Sequence, residues 1–322
     1  MVKDLANYTI SGEHLVRYFG ASNEFVAPYF ITGSTIFRYI DAYAFYGNTD
    51  LKTADLHIMT GYYVIGNYAF AFCTDMTYTS LPNIPSIIGS YVFYYCISLT
   101  TANLATGGAV VVEKDLESSI FQYCFSLQSI TIPSWATRIR TAAFYGCYNL
   151  QSVTFLGDVE IIAYASFAEC HSLETITIPG SVATIGESAF YNCNSLKNLT
   201  ISSGVTKIGS WAFQYCESLK TVVIPNTVTE IDDYAFEYCT SLISISLGTG
   251  LTRLGYSVFH GCFELPTITL PASLTTLGDN WLNMTAGVFD QCVNMTSISV
   301  ASGNARFSSG PLSCGPPWYD RL

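Results

Sequence analysis

Ten of the eleven cysteines stand three residues after a phenylalanine: Phe70/Cys73, Phe93/Cys96, Phe121/Cys124, Phe144/Cys147, Phe167/Cys170, Phe190/Cys193, Phe213/Cys216, Phe236/Cys239, Phe259/Cys262 and Phe289/Cys292. Cys314 lies apart in the tail. Thiols at regular spacing could bind a metal, cross-link or attack a substrate. Metal binding needs close-set ligands such as C-x-x-C with a second pair converging in space, and no such pair occurs. From Cys124 to Cys262 each step is 23 residues, so the cysteines occupy one register of a repeated unit. Stacking would set neighbouring Cα atoms about 5 Å apart, within disulfide range, but parallel Cα–Cβ vectors hold the Cβ atoms beyond the usual ~3.8 Å. The expectation is a ladder of reduced, buried thiols, Cys124, Cys147, Cys170, Cys193, Cys216, Cys239 and Cys262, acting as small core residues.

The histidines, His14, His57, His171 and His260, are dispersed. His171 and His260 flank the cysteine column, with no acid at a spacing that suggests a triad. Gly107-Gly108 is not followed by a phosphate-loop Lys-Ser/Thr and reads as a loop tip. No catalytic residue, metal ligand or cofactor is expected, and the chain does not read as an enzyme.

The residues around the cysteines define the element that positions them. Between Leu173 and Ser195 the apolar residues are Leu173, Ile176, Ile178, Val182, Ile185, Ala189, Phe190 and Cys193. Ile176 and Ile178 share one face of a short strand, and Pro179 ends it because proline cannot donate to a ladder. Val182 and Ile185 make a second inward edge, with Gly186 at the bend. Ala189, Phe190 and Cys193 make a third, whose one-turn spacing suggests a helical or 3₁₀ piece. A single unit cannot bury these edges alone, so neighbouring coils must cover one another. The fold class is a repeat solenoid, with a parallel β-sheet on one face and short helical, 3₁₀ or irregular segments on the other.

The pattern L-x-x-I-x-I-P-x-x-V-x-x-I-G-x-x-A-F-x-x-C-x-x-L, seen at Leu173 to Leu196, resembles the BspA-like, Treponema pallidum-type leucine-rich repeat family. The likeness runs from about residue 25 to 310. Residues 297–310, with an Asn-x-x-Phe-Ser segment, resemble a divergent repeat of that family. The resemblance implies surface-exposed or secreted adhesion proteins of bacteria and parasitic protists. It names no ligand.

Residues 1–33 do not fit the unit and are expected to form an N-terminal cap; residues 34–300 form about eleven units; residues 301–322 form a divergent repeat and C-terminal cap. The step from Cys96 to Cys124 is 28 residues and that from Cys262 to Cys292 is 30, which places loop insertions near 107–119 and 272–287.

Half of the residues are hydrophobic and 11% are charged, with a net charge of −11. Thirteen Lys and Arg supply no basic stripe, so nucleic acid and anionic membranes are poor partners. No apolar stretch is long enough for a spanning helix. Met1-Val-Lys-Asp-Leu does not read as a signal peptide. The expected location is nevertheless extracellular or cell-surface, from the resemblance. Sequons at Asn7, Asn198, Asn283 and Asn294 are candidate N-glycosylation sites.

Recognition has two candidate surfaces. One is the hydroxyl lattice of outward strand positions, represented by Thr177, Asn198 and Thr200; it also fits plain β-propensity. The other is aromatic: Tyr94, Tyr95, Tyr123, Tyr145, Tyr191, Tyr215 and Tyr238 between the repeat Phe and Cys, with Trp211 and Tyr234 two before the Phe. These suit interface anchoring and equally suit packing between coils. The partner is expected to be a protein or glycan of a host cell, matrix or other microbe. Two alternatives stand beside adhesion: a self-assembling filament or sheath subunit, hence a homo-oligomer, and an intracellular protein-interaction scaffold.

Overall fold

The computed structural model describes residues 8–11, 13–18, 23–26, 38–57, 63–81, 87–104, 115–278 and 287–304. The chain divides into two compact units, Met1–Val159 and Glu160–Leu322. In each, every coil contributes one strand to a long-strand ladder and most contribute a two-residue strand to a second ladder.

In the first unit a hairpin, Tyr8–Ser11 with His14–Tyr18, opens the chain. His14–Tyr18 then starts a parallel series with Tyr39–Ile40, Val64–Ile65 and Ile87–Ile88. Glu24–Val26, Thr53–Asp55, Tyr78–Ser80, Thr101–Asn103, Ser129–Ile132 and Ser152–Phe155 form the long-strand ladder, also parallel. Asp115–Leu116 pairs with Arg138–Ile139 after the first insertion. Ser129 faces Thr101 across the 28-residue step, so extra length leaves the long ladder in register.

In the second unit the long strands are Thr175–Ile178, Asn198–Ile201, Thr221–Val223 and Ser244–Ser246, followed by Thr267–Leu270 paired with Ser297–Val300 across the second insertion. Ile161–Ile162, Thr184–Ile185, Lys207–Ile208, Glu230–Ile231, Arg253–Leu254 and Thr276–Leu277 form the short ladder. Each unit is therefore a parallel β-solenoid.

The core follows the repeat. Leu173, Ile176, Ile178, Val182, Ile185, Ala189, Phe190 and Cys193 are all at most 3% exposed. Each large apolar side chain contributes roughly 1.5–3 kcal/mol of burial. Equivalent phenylalanines stack: Phe45, Phe70, Phe93, Phe121 and Phe144 lie 4.6–5.5 Å apart in the first unit. Phe167, Phe190, Phe213, Phe236, Phe259 and Phe289 lie 5.2–5.9 Å apart in the second.

The third edge differs from the expectation, since no helix occurs among the described residues. The Ala-Phe-x-x-Cys segment is a run of turns whose backbone turns left-handed two residues before and two after the Phe. Tyr68 and Phe72, Tyr91 and Tyr95, Ser188 and Asn192, Trp211 and Tyr215, and Tyr234 and Tyr238 all have φ between 54° and 62°. Left-handed backbone costs about 1–2 kcal/mol for a residue with a side chain. It also turns alternate N–H groups toward the next coil: Ser188, Phe190 and Asn192 donate to the carbonyls of Ser210, Ala212 and Gln214, each at 2.8 Å. A helix would spend these donors along its own axis and leave the coils unjoined here.

The cysteines close this seam. Cys216 Sγ donates to the Phe190 carbonyl at 3.4 Å, and Cys193 N–H donates to the same oxygen at 3.3 Å. The pattern repeats from Cys73 onward in the first unit and from Cys193 onward in the second. Ten described cysteines are free and nine of them are buried. Burial pushes eight of these thiols up, that of Cys73 to about 12.

Candidate functional site

The turn run that carries Phe and Cys inward leaves other residues around them facing outward. In the first unit those outward residues are mostly aromatic, and they meet. Tyr43, Tyr68 and Tyr91 stack in succession at 5.2 and 4.6 Å. Tyr43 touches Tyr46 and Tyr91 touches Tyr94 edge-on. Phe72, Tyr95, Tyr123, Phe125, Tyr145 and Tyr148 extend the contacts without a gap. These eleven rings form one network with no charged side chain among them. Tyr43, Tyr46 and Tyr148 are 53%, 49% and 37% exposed. Burial, then neighbouring tyrosines, raise the phenols of Tyr68 and Tyr94.

In the second unit the same positions mix aromatics with carboxylates. Trp211 stacks on Tyr234 at 5.7 Å, Tyr215 on Tyr238 at 5.1 Å, and Tyr191 meets Tyr215 edge-on. Glu237 accepts a hydrogen bond from Gln214, and burial raises its carboxyl. His260 has acids on both sides, with Nδ1 at 3.4 Å from Asp290 and Nε2 at 4.0 Å from Glu237, while Tyr238 Oη lies 3.2 Å from Nε2. His171 Nε2 is 2.7 Å from Glu169, which also accepts from Asn192. Acids thus stand beside both histidines, although no spacing in the sequence suggests a triad. For His260 the acids sit about one coil away in sequence, at the same place in the turn. No group of three His, Cys, Asp or Glu side chains among the described residues could hold a metal ion.

The sequence-selected residues fall into separate sets. Tyr94, Tyr95, Tyr123 and Tyr145 join the first network; Tyr191, Tyr215, Tyr238, Trp211 and Tyr234 belong to the second unit. Thr177 pairs with Thr200 in the long ladder, where Thr177, Asn198 and Thr200 are exposed. Asn198 and Asn294 are exposed, and Asn294 Nδ2 donates to Glu264. Asn7 and Asn283 lie outside the described residues, as does Cys314. Tyr46, Phe72, Phe125 and Tyr148 were not singled out by sequence; their signal was aromatic type at equivalent places in successive coils.

The sequence signature of the BspA type leucine rich repeat region matches residues 38–174, 114–242, 160–288 and 213–313, in six copies. The chain belongs to the BspA-type leucine-rich repeat family. Among solved structures, this BspA-type chain is similar to a leucine rich cell surface protein from Faecalibacterium prausnitzii, with 24% identity, TM-score 0.52, and coverage of 93% of this chain and 86% of that one. A leucine-rich repeat protein from Eubacterium ventriosum shows 20% identity and TM-score 0.51, over 92% of this chain and 91% of that one. Both support the fold of the BspA-type solenoid. No curated relative matches. Among the described residues, no helix is long and apolar enough to cross a membrane.

Proposed function

We propose that this BspA-type chain is a non-enzymatic adhesion protein, displayed on a cell surface or secreted, that binds a protein or glycan through outward-facing tyrosines. The eleven-ring network of the first unit carries this reading. Contiguous exposed aromatic area marks interaction sites, and tyrosine offers rigid contact area at low entropic cost. The cell-surface description of the F. prausnitzii protein supports the location. The strand-face hydroxyls of Thr177 and Thr200, with the Asn198 carboxamide beside them, are a second contact area, and Asn198 and Asn294 are exposed sequons offered for glycosylation.

Full-length protein screened against immobilised matrix proteins and host cells should show saturable binding. Replacing the half-exposed Tyr46 and Tyr148 with Ser should weaken it about tenfold or more, since buried interface tyrosines are worth roughly 2 kcal/mol. A uniformly negative screen, or binding indifferent to both substitutions, sinks the proposal.

A further inference from the structure

The buried thiols leave the coils without a disulfide to staple them, while the tyrosine columns supply another residue type that can be joined by oxidation. The chain has 23 tyrosines. Three described Tyr–Tyr pairs have parallel rings: Tyr43–Tyr68 at 5.2 Å and 3°, Tyr68–Tyr91 at 4.6 Å and 5°, and Tyr215–Tyr238 at 5.1 Å and 3°. Each pair joins successive coils. Tyr43–Tyr46, Tyr91–Tyr94, Tyr123–Tyr145 and Tyr191–Tyr215 are instead edge-on.

From this geometry we infer that the parallel pairs are dityrosine sites, at which a haem peroxidase with hydrogen peroxide cross-links neighbouring coils of one molecule. Parallel rings on side chains that leave equivalent places of successive coils are the arrangement that favours like carbons meeting, and the inference sets the Cε atoms ortho to the two hydroxyls against each other. In an edge-on pair the rim of one ring meets the face of the other, which does not set like carbons side by side. Tyr43 is 53% exposed, which gives an oxidant access to the column and lets the ring tilt to close the remaining gap.

The chemistry balances. Each phenol loses one electron and its Oη proton, giving two ring radicals. The radicals pair in a new Cε–Cε bond. The hydrogen on each coupled carbon then moves to oxygen and restores both phenols. Peroxide accepts the two electrons and two protons and leaves as two waters. The product ties residues 23 or 25 positions apart, which restricts the unfolded chain as any such cross-link does.

The test is peroxidase treatment of dilute full-length protein, followed by digestion and mass spectrometry of the monomer. The expected products are peptides joined at Tyr43–Tyr68, Tyr68–Tyr91 and Tyr215–Tyr238, each lacking two hydrogens, together with dityrosine fluorescence and a raised unfolding midpoint. Tyr68→Phe should remove both first-unit cross-links and spare Tyr215–Tyr238; Tyr94→Phe should spare all three. Cross-links distributed equally over edge-on pairs, cross-links only between molecules, or no dityrosine overturns the inference. Mapping on the unaltered chain decides the matter even where a variant fails to fold.

Discussion

At the scale of single residues, Glu237 and the cysteines show what the interior tolerates. The Glu237 side chain is 12% exposed, and burial outweighs both the Gln214 hydrogen bond and the nearby His260, so its carboxyl is raised in the folded chain. A folded value above the unfolded one means that the native state holds the proton more tightly. Stability is then fullest below the ordinary carboxylate range and falls as pH rises through the raised value. Glu237→Gln keeps an acceptor for Gln214 and removes this loss. Its melting temperature should exceed that of the unaltered chain near about pH 8 and match it near about pH 4, a difference that calorimetry reads directly. For the cysteines the relevant observation is the paired donation to one carbonyl. Cys216→Ala removes the thiol donor at Phe190 and leaves a small void, which should cost about 1–2 kcal/mol in denaturant unfolding. The nine buried thiols should resist alkylation until the chain unfolds.

At the scale of elements, the turn run rests on left-handed residues, and neighbouring alanines expose this. Ala142 has φ of 54°, whereas Ala143 is fully buried and is absent from the positive-φ residues. Ala142→Gly should stabilise by up to about 1 kcal/mol through relief of strain, while Ala143→Gly should destabilise by about 1 kcal/mol; opposite signs at adjacent positions are the outcome to look for in thermal unfolding. Sequence reading reached the strands and the inward columns because Leu173, Ile176, Ile178 and Phe190 are apolar at fixed spacing, and the two-residue period leaves one way to face them. It did not reach the turn conformation, because Ala-Phe-x-x-Cys has the spacing of a helical turn and left-handed φ at Tyr, Trp or Ser leaves no mark in composition. It also missed the acids around His260: Glu237 and Asp290 are distant in sequence and become neighbours only once the coils are stacked. The aromatic columns were legible as positions, but the choice between stacked and edge-on rings depends on rotamers that spacing does not specify.

At the scale of the whole molecule, the stability of each unit is a sum of nearest-neighbour terms, because a coil buries its edges against its neighbours within that unit. Charge contributes little cohesion: the ion pairs of Lys207 with Glu230 and Asp232, and of Arg253 with Asp232, lie on side chains that are at least partly exposed, and such pairs are worth at most about 1 kcal/mol. The repeat length is therefore the quantity that matters, and deletion tests it. Removing residues 194–216 takes out one coil of 23 residues and leaves the flanking strands, phenylalanines and cysteines in phase, with Phe190 now adjacent to Phe236. That variant should fold and unfold cooperatively, with a modestly lower midpoint for the lost coil. Removing only the first half of the same segment leaves the downstream coils out of phase with those before them, turning core positions toward solvent and solvent positions inward. It should lose the cooperative transition in circular dichroism. Equal behaviour of the two deletions would mean that the columns of leucine, phenylalanine and cysteine are not what joins one coil to the next.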